Sequence, residues 1–466
     1  MKSKGSFLNC NVSRPGRRQG PITRILLLSL TSTFLLTGTR GQQIGSPTLQ
    51  GGVLPARGIY AIRNARIITV SGSEIENGHI LISDGKIEAV GANLQIPGDA
   101  RAIDAKGLTV FPGMIDAGTS LGLVEVTQGA NGTVDLSEVG ELNPHAKAVV
   151  SVNPHSAHVG VTRVDGITNV LSAPTGGLIS GQATLLNLVG TTQLEMAVEP
   201  LAALVINYPR IAARTGDFSS QQQSPNLREV LTVAQRQLEQ IQRMLRDAEA
   251  YNRAHLAYAK DKSLPRPDQN VMLEALVPYV RGERPVIFRA DREAEIRGAI
   301  NFAAEMKLQP IILGGNDAWK VSDLLKEKNV PVILTGVLEL PGREDDAYDT
   351  LYENPVKLQA AGVRFCISTG DSGANVRNLP FHAGMASAFG LSKSEALKAI
   401  TLYPAQIFKV SDRLGSIEPG KIANLVVADG DPLEARTQIR YLFIDGRQIP
   451  LVSRHTELND AFKNRR

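Results

Sequence analysis

The sequence predicts an α/β fold, a (β/α)8 TIM-like barrel carrying a composite β-domain assembled from both chain ends. Two observations predict it. Eight short, near-continuously apolar runs alternate with helical stretches through the middle of the chain, the pattern of buried parallel strands over about 250 residues. On either side lie runs rich in β-branched residues with two-residue turn signals, so small all-β pieces bracket the barrel. A doubly wound sheet is the alternative. The barrel is preferred because eight runs can be counted and no glycine-rich dinucleotide fingerprint follows the first.

In chain order, residues 1–41 read as a secretory signal. Lys2, Lys4, Arg14, Arg17, Arg18 and Arg24 form a basic region and Ile25 to Gly38 an apolar run, while Thr39 and Gly41 place cleavage before Gln42. The run is shorter than the roughly 20 residues of a spanning helix, so export to the periplasm or cell exterior is expected, with no stable membrane span. Residues 42–58, rich in Gly, Pro and Gln, form a linker. Residues 59–110 supply the N-terminal part of the β-domain, with Asp84-Gly85 as a hairpin turn. Residues 411–452 supply its C-terminal part, with a second hairpin at Asp445-Gly446, and residues 453–466 are a tail.

Residues 111–410 hold the barrel. Its runs are LTVFPGMID, GITNVLSA, ATLLNLVG, ALVINY, PVIFRA, QPIILGG, PVILTGV and RFCIST. Helices follow the fifth run (DREAEIRGAINFAAEMK) and the sixth (DAWKVSDLLKEKN). The longest helix is expected from Asn226 to about Tyr258. Leu227, Leu231, Ala234, Leu238, Ile241, Leu245 and Ala248 form its apolar seam, and Asn226 with Glu229 its capping box. Such a helix covers its own barrel or meets a second subunit. LSKSEALKAITLYPAQIF reads as one helix capped by Ser392, with Glu395 three residues on and Pro404 at its end.

The formal net charge is +4, part of it in the first twenty residues, and no basic stripe with interleaved aromatics appears, so nucleic acid is excluded as a partner. Of two cysteines, Cys10 lies in the signal and Cys366 in an apolar run, so there is no disulfide framework. Cys366 reads as a small buried hydrophobe.

GLTVFPGMID, STGDSG, GLSKSEALKAITLYPAQIF and LGSIEPGKIANLVVADGDP together resemble the metal-dependent amidohydrolase superfamily, and within it the exported, imidazolonepropionase-like members. The resemblance runs from about Tyr60 to Pro450. It implies a (β/α)8 barrel with a composite β-sandwich, and hydrolysis of non-peptide C–N bonds by water activated on zinc or another divalent metal. It also implies a ligand set: a His-x-His pair after strand one, Lys or Glu on strand four, His on strands five and six, and Asp on strand eight, which doubles as proton acceptor.

Carried onto this chain, most of that set is missing. Gly118 and Ser120 stand where the His-x-His pair would be, and ALVINYP offers neither Lys nor Glu. Arg289 replaces the strand-five histidine and Gly314 the strand-six one, while Asp371 alone remains. Zinc needs three or four N, O or S ligands, so no residue is assigned to a metal and no cofactor is expected. An Arg289–Asp371 ion pair is expected in the metal's place. Asp371 is the candidate catalytic residue, and Ser120, Arg289, Arg377 and Asn378 are the candidate ligand-binding residues.

Among the histidines, His255 is expected on the long helix's seam, His382 at a helix start after strand eight as a cap or surface group, and His155 and His158 share a face only if their stretch is helical. APTGGLISGQATL could cradle an anion on backbone N–H groups, although a tight loop fits it better. The reading that follows is a metal-poor, catalytically impaired family member. It would bind a small polar ligand or a partner at the barrel mouth, with an active homologue or a second copy as protein partner. The alternative is an active hydrolase of cyclic or N-acyl amides with a rebuilt metal site.

Overall fold

The computed structural model describes residues 54–126, 130–210, 227–343, 345–370, 373–463 and 465. The expected signal segment, most of the expected linker, Asn226 and Asp371 lie outside the described residues. No helix among those described is long and apolar enough to cross a membrane.

Two eight-stranded sheets organise the chain. The second, outer sheet is made of β1 (Tyr60–Ile67), β2 (Ile75–Ser83), β3 (Lys86–Gly91), β4 (Arg101–Asp104) and β5 (Thr109–Pro112) with strands from the far end of the chain. The barrel sheet runs β6 (Met114–Thr119), β7 (Ile167–Ser172), β8 (Ile179–Asn187), β9 (Ala197–Asn207), β10 (Val286–Ala290), β11 (Pro310–Gly314), β12 (Val332–Leu334) and β13 (Phe365–Ile367), each hydrogen-bonded to the next. The outer sheet is completed by β14 (Leu425–Ala428), β15 (Ile439–Ile444) and β16 (Arg447–Ile449), with β14 pairing β5. Its core is its own, built on Ile62, Ile80, Ile82, Val110, Leu425 and Phe443.

The eight apolar runs all become barrel strands, with two corrections. The first run is two strands, because the chain passes from the outer sheet into the barrel at Gly113. A Cβ there would lie 2.1 Å from Thr168 Oγ1, so only glycine fits this crossing. The second correction concerns direction. The expected all-parallel order fails at β8, which runs antiparallel to both β7 and β9. Only Ala173 to Leu178 link β7 to β8, whereas a parallel crossover needs a dozen or more residues.

Both expected hairpins form. Asp84 (φ 46°) and Gly85 (φ 79°) turn β2 into β3, and Asp445 (φ 55°) and Gly446 (φ 67°) turn β15 into β16, the left-handed pair a two-residue turn requires. The two turns touch, since a Cβ on Gly446 would lie 2.5 Å from the Gly85 Cα.

The long helix spans Leu227–Lys260. Its seam is buried at Ala234, Ile241, Leu245 and Ala248, but Leu227 and Leu231 remain 58% and 45% exposed. The predicted C-terminal helix is two, Lys393–Ala399 and Leu402–Ile407, and Pro404 lies inside the second rather than ending the first. Proline has no N–H for the carbonyl four residues back, and its ring crowds that carbonyl. The break falls there, and the freed Ile400 oxygen accepts from Ile115 N–H at 2.8 Å, tying the helix pair to β6. Ser392 caps the first helix as expected.

Barrel and outer sheet meet through a buried asparagine cluster. Asn424 Nδ2 donates to Asn169 Oδ1 (2.8 Å) and Asn187 Oδ1 (2.9 Å), Asn169 Nδ2 donates to Asn187 Oδ1 (2.7 Å), and Asp445 N–H donates to Asn424 Oδ1 (2.8 Å). Removing one member strands the others' polar atoms away from water, which costs more than the bond itself. Asn424→Ala should lower the unfolding free energy by roughly 2–4 kcal/mol, read as a lower urea midpoint with an unchanged slope.

Candidate functional site at the barrel mouth

Inside the barrel, side chains alternate along each strand, and the inward set is almost wholly apolar. Ile115, Ala117, Leu171, Ala183, Val205, Ile287, Ile311, Leu313, Ile333 and Cys366 fill it, and Ala405, Ile407, Phe408 and Leu414 pack with the same cluster. Cys366 is buried as expected, and burial, with the Asp116 charge added, pushes its thiol well above the usual range.

The mouth is formed by the C-terminal ends of β6, β7 and β9 to β13. At its base, Asp116 is fully buried between β6 and the end of β13. Its carboxylate accepts from Thr369 Oγ1 (2.5 Å), Thr369 N–H (3.2 Å), Gly118 N–H (3.3 Å) and the Ser368 hydroxyl. Burial pushes this carboxyl above the usual range, against the hydrogen bonds that pull it down.

Gly118 faces across the lumen to β11. A Cβ at this position would lie 2.7 Å from Leu313 Cδ1 and 3.2 Å from Ser368 Oγ. Leu313 therefore occupies the space a histidine side chain would need. Ser120 is buried just past β6. Arg289 pairs in register with Asn207 on one side and Leu313 on the other, two residues beyond the inward Ile287. Its Nη2 donates to the Pro174 carbonyl at 3.4 Å, and its buried Nε has no partner among the described residues. Burial lowers its pKa, with Asp291 opposing.

Asp291, just past β10, stands exposed at the rim. The protein around it, with Glu295 and Glu339 adding negative charge, pushes its pKa up to about 6. Sequence reasoning missed Asp291 and Leu313. For Leu313 strand alternation held the signal, since it lies two residues from the inward Ile311 on β11.

Arg377 and Asn378 lie apart from this group. Arg377 Nη1 donates to His455 Nδ1 at 2.9 Å, and its charge acts on Asp165, which lies two residues before β7 begins, away from the mouth. Asn378 precedes the helix Leu379–Ala388 and makes no side-chain cap bond. His382, expected at the surface or as a cap, is buried in that helix. His155 and His158 share no helix face, because the helix Ala157–Arg163 begins after His155. His158 Nε2 lies 3.0 Å from the Glu125 carbonyl oxygen, and the His158 ring packs 3.4 Å from where a Gly373 Cβ would be. His255 is half-buried on the continuation of the seam, its ring tilted against Tyr251 with centroids 4.1 Å apart and its Nε2 3.4 Å from the Asp268 carbonyl oxygen.

The glycine-rich loop after β7 is a tight loop and no anion nest. Thr175 N–H donates to Leu136 O, and the Leu178 and Ile179 N–H groups both donate to Glu141 O. Asn207 Nδ2 fastens it by donating to Gly177 O (2.7 Å) and Ser180 Oγ (3.0 Å). Beside it a cleft of about 330 Å3 is lined by Asp135, Glu138, His145, Lys147, Pro174 and Ser180.

Residues 345–453 match the amidohydrolase family model. An amidohydrolase from Thermotoga maritima MSB8 superposes with a TM-score of 0.74 at 25% identity, over 84% of this chain and 99% of that one. The chain belongs to the amidohydrolase superfamily. Among curated relatives, the amidohydrolase tasK of Hapsidospora irregularis is 24% identical over 435 residues, 85% of this chain and 43% of that protein. The allantoinase of Solibacter usitatus (strain Ellin6076) is 42% identical over 55 residues, 12% of this chain and 11% of its own length. The chain thus spans less than half the length of these curated relatives.

Two outcomes test the site. Asp116→Ala strands the Ser368 and Thr369 donors and should cost roughly 3–5 kcal/mol in a urea titration, while Asp116→Asn, which keeps an acceptor, costs less. Asp291 binds its proton more tightly folded than unfolded. The stabilisation this gives is complete below the unfolded value near 4 and fades as pH rises through about 6. A carboxyl NMR titration should find that midpoint, and Asp291→Asn should flatten stability against pH between those limits.

Proposed function

We propose that this chain is an imidazolonepropionase-like member of its superfamily that has lost metal-assisted hydrolysis and uses its barrel mouth to bind a small polar ligand. Homology places it among amidohydrolase-family hydrolases, and export would put it outside the cytoplasm. The observation that carries the reading is Leu313 standing on Gly118. The lumen position of a first metal ligand is filled by a leucine, and the strand-five position carries a guanidinium.

The described residues at the family's ligand positions do not fit a divalent metal. Gly118, Ser120, Asn207, Arg289 and Gly314 offer no carboxylate, imidazole or thiolate. Among the described residues no group of three or more His, Cys, Asp or Glu could hold a metal ion. A zinc site needs about three or four such donors, and a fixed positive charge in their midst repels the ion. No step is therefore routed through a metal. What the residues can do is bind: an apolar wall from Leu313 and Ala117, a cationic fork from Arg289, and a carboxyl at the rim from Asp291.

One observation favours a second reading, an active hydrolase of cyclic or N-acyl amides. Asp291, with its pKa raised to about 6 at the rim, is poised to act as a general base near neutral pH.

Metal analysis of protein purified without chelators, joined to a hydrolase screen on N-acyl and cyclic amides, separates the two. We expect substoichiometric zinc, iron and manganese and turnover no faster than that of the Asp371→Ala control. Stoichiometric metal, or turnover abolished by that substitution, refutes the metal-free reading. Turnover abolished by Asp291→Asn alone establishes the second.

A further inference from the structure

The guanidinium in the barrel mouth is under-used. Arginine carries five N–H donors in a planar fork, yet among the described residues Arg289 makes one long hydrogen bond, Nη2 to Pro174 O at 3.4 Å. Its Nε is buried with no partner among the described residues. The carbonyl it meets belongs to the loop that Asn207 fastens, and Asn207 is itself the register neighbour of Arg289, so backbone and loop fix the fork from both sides. The other register neighbour, Leu313, sets an apolar wall beside it. A buried donor without an acceptor costs free energy that a suitable ligand recovers.

Resting on the metal-free reading above, we propose that the mouth is an anion site in which Arg289 binds the carboxylate of a small monoanionic ligand, with the ligand's apolar part against Leu313. The charge balance selects the class. A carboxylate matches a guanidinium fork with two parallel N–H···O bonds. Asp291, close enough to act on the Arg289 charge, already offsets part of it, so a single guanidinium has no surplus for a phosphate dianion. The site has thus exchanged a cation for an anion: the superfamily's metal position has become a guanidinium, and its counter-charge arrives with the ligand.

The experiment is a thermal-shift and calorimetric titration of the full chain with acetate, butyrate and benzoate, against chloride and inorganic phosphate as controls. The expected result is saturable stabilisation by the carboxylates, strongest for butyrate and benzoate. Arg289→Met should weaken it at least tenfold. Arg289→Lys, which keeps the charge but not the fork, should retain part of it. Circular dichroism of both variants establishes that they fold, and Leu313→Ala should reduce the preference for butyrate over acetate without removing binding. Equal binding by wild type and Arg289→Met overturns the site, and phosphate binding as tightly as butyrate overturns the monoanion assignment. Failure of either kind in a protein free of metal and turnover sinks this inference alone, whereas stoichiometric metal sinks the reading beneath it.

Discussion

The barrel depends on one buried carboxylate. Its eight strands form an open ladder from β6 to β13, and those two end strands are not partners in it. Asp116 spans the gap, receiving the hydroxyl and amide protons of Ser368 and Thr369 from the end of β13. Side-chain hydrogen bonds thus perform the closure that backbone pairing performs elsewhere. A carboxylate suits the task because it accepts up to four hydrogen bonds, and here hydroxyl and amide donors take that capacity. Its desolvation is offset only while all of them stay in place.

That clasp positions everything above it. Gly118 is two residues beyond Asp116, and its amide is part of the same hydrogen-bonded group. The strand-eight end is therefore held against the strand-one end at the level where the superfamily gathers its ligands. Here the same level is packed by Leu313 and Ile333 and charged by Arg289. Gly118 and Gly314 bring no donor side chain to that level. This is understandable, since the clasp and the apolar lumen stabilise the fold whatever stands at the mouth.

Much of the fold was legible because it is written in local patterns. Each of the eight apolar runs holds a barrel strand, and both Asp-Gly turns form hairpins, since burial on two faces and positive φ leave direct marks on residue choice. Strand direction left no such mark. ATLLNLVG is as apolar as its neighbours, and only the six-residue link before β8 betrays that it runs the other way. The helix break at Ile400 was misplaced for a related reason: proline acts on the carbonyl four residues earlier, so the visible residue is not where the chain bends. At the site, the absence of histidines was legible residue by residue. What fills their space was not, because Leu313 reaches Gly118 across the lumen from a strand far away in sequence. Arg377 shows the converse. Its place after strand eight suggested the mouth, but the side chain turns outward to His455.

The contact of Gly85 with Gly446 has a consequence for how the chain is made. β5 pairs with β14, and roughly 300 residues separate them. At about 5–20 residues per second, the edge of β5 waits roughly 15–60 s for its partner to leave the ribosome. Until then the first five strands carry an open, β-branched edge that invites pairing with another nascent chain. A cell making this protein in quantity would need either a holding chaperone or sparse spacing of ribosomes on its message.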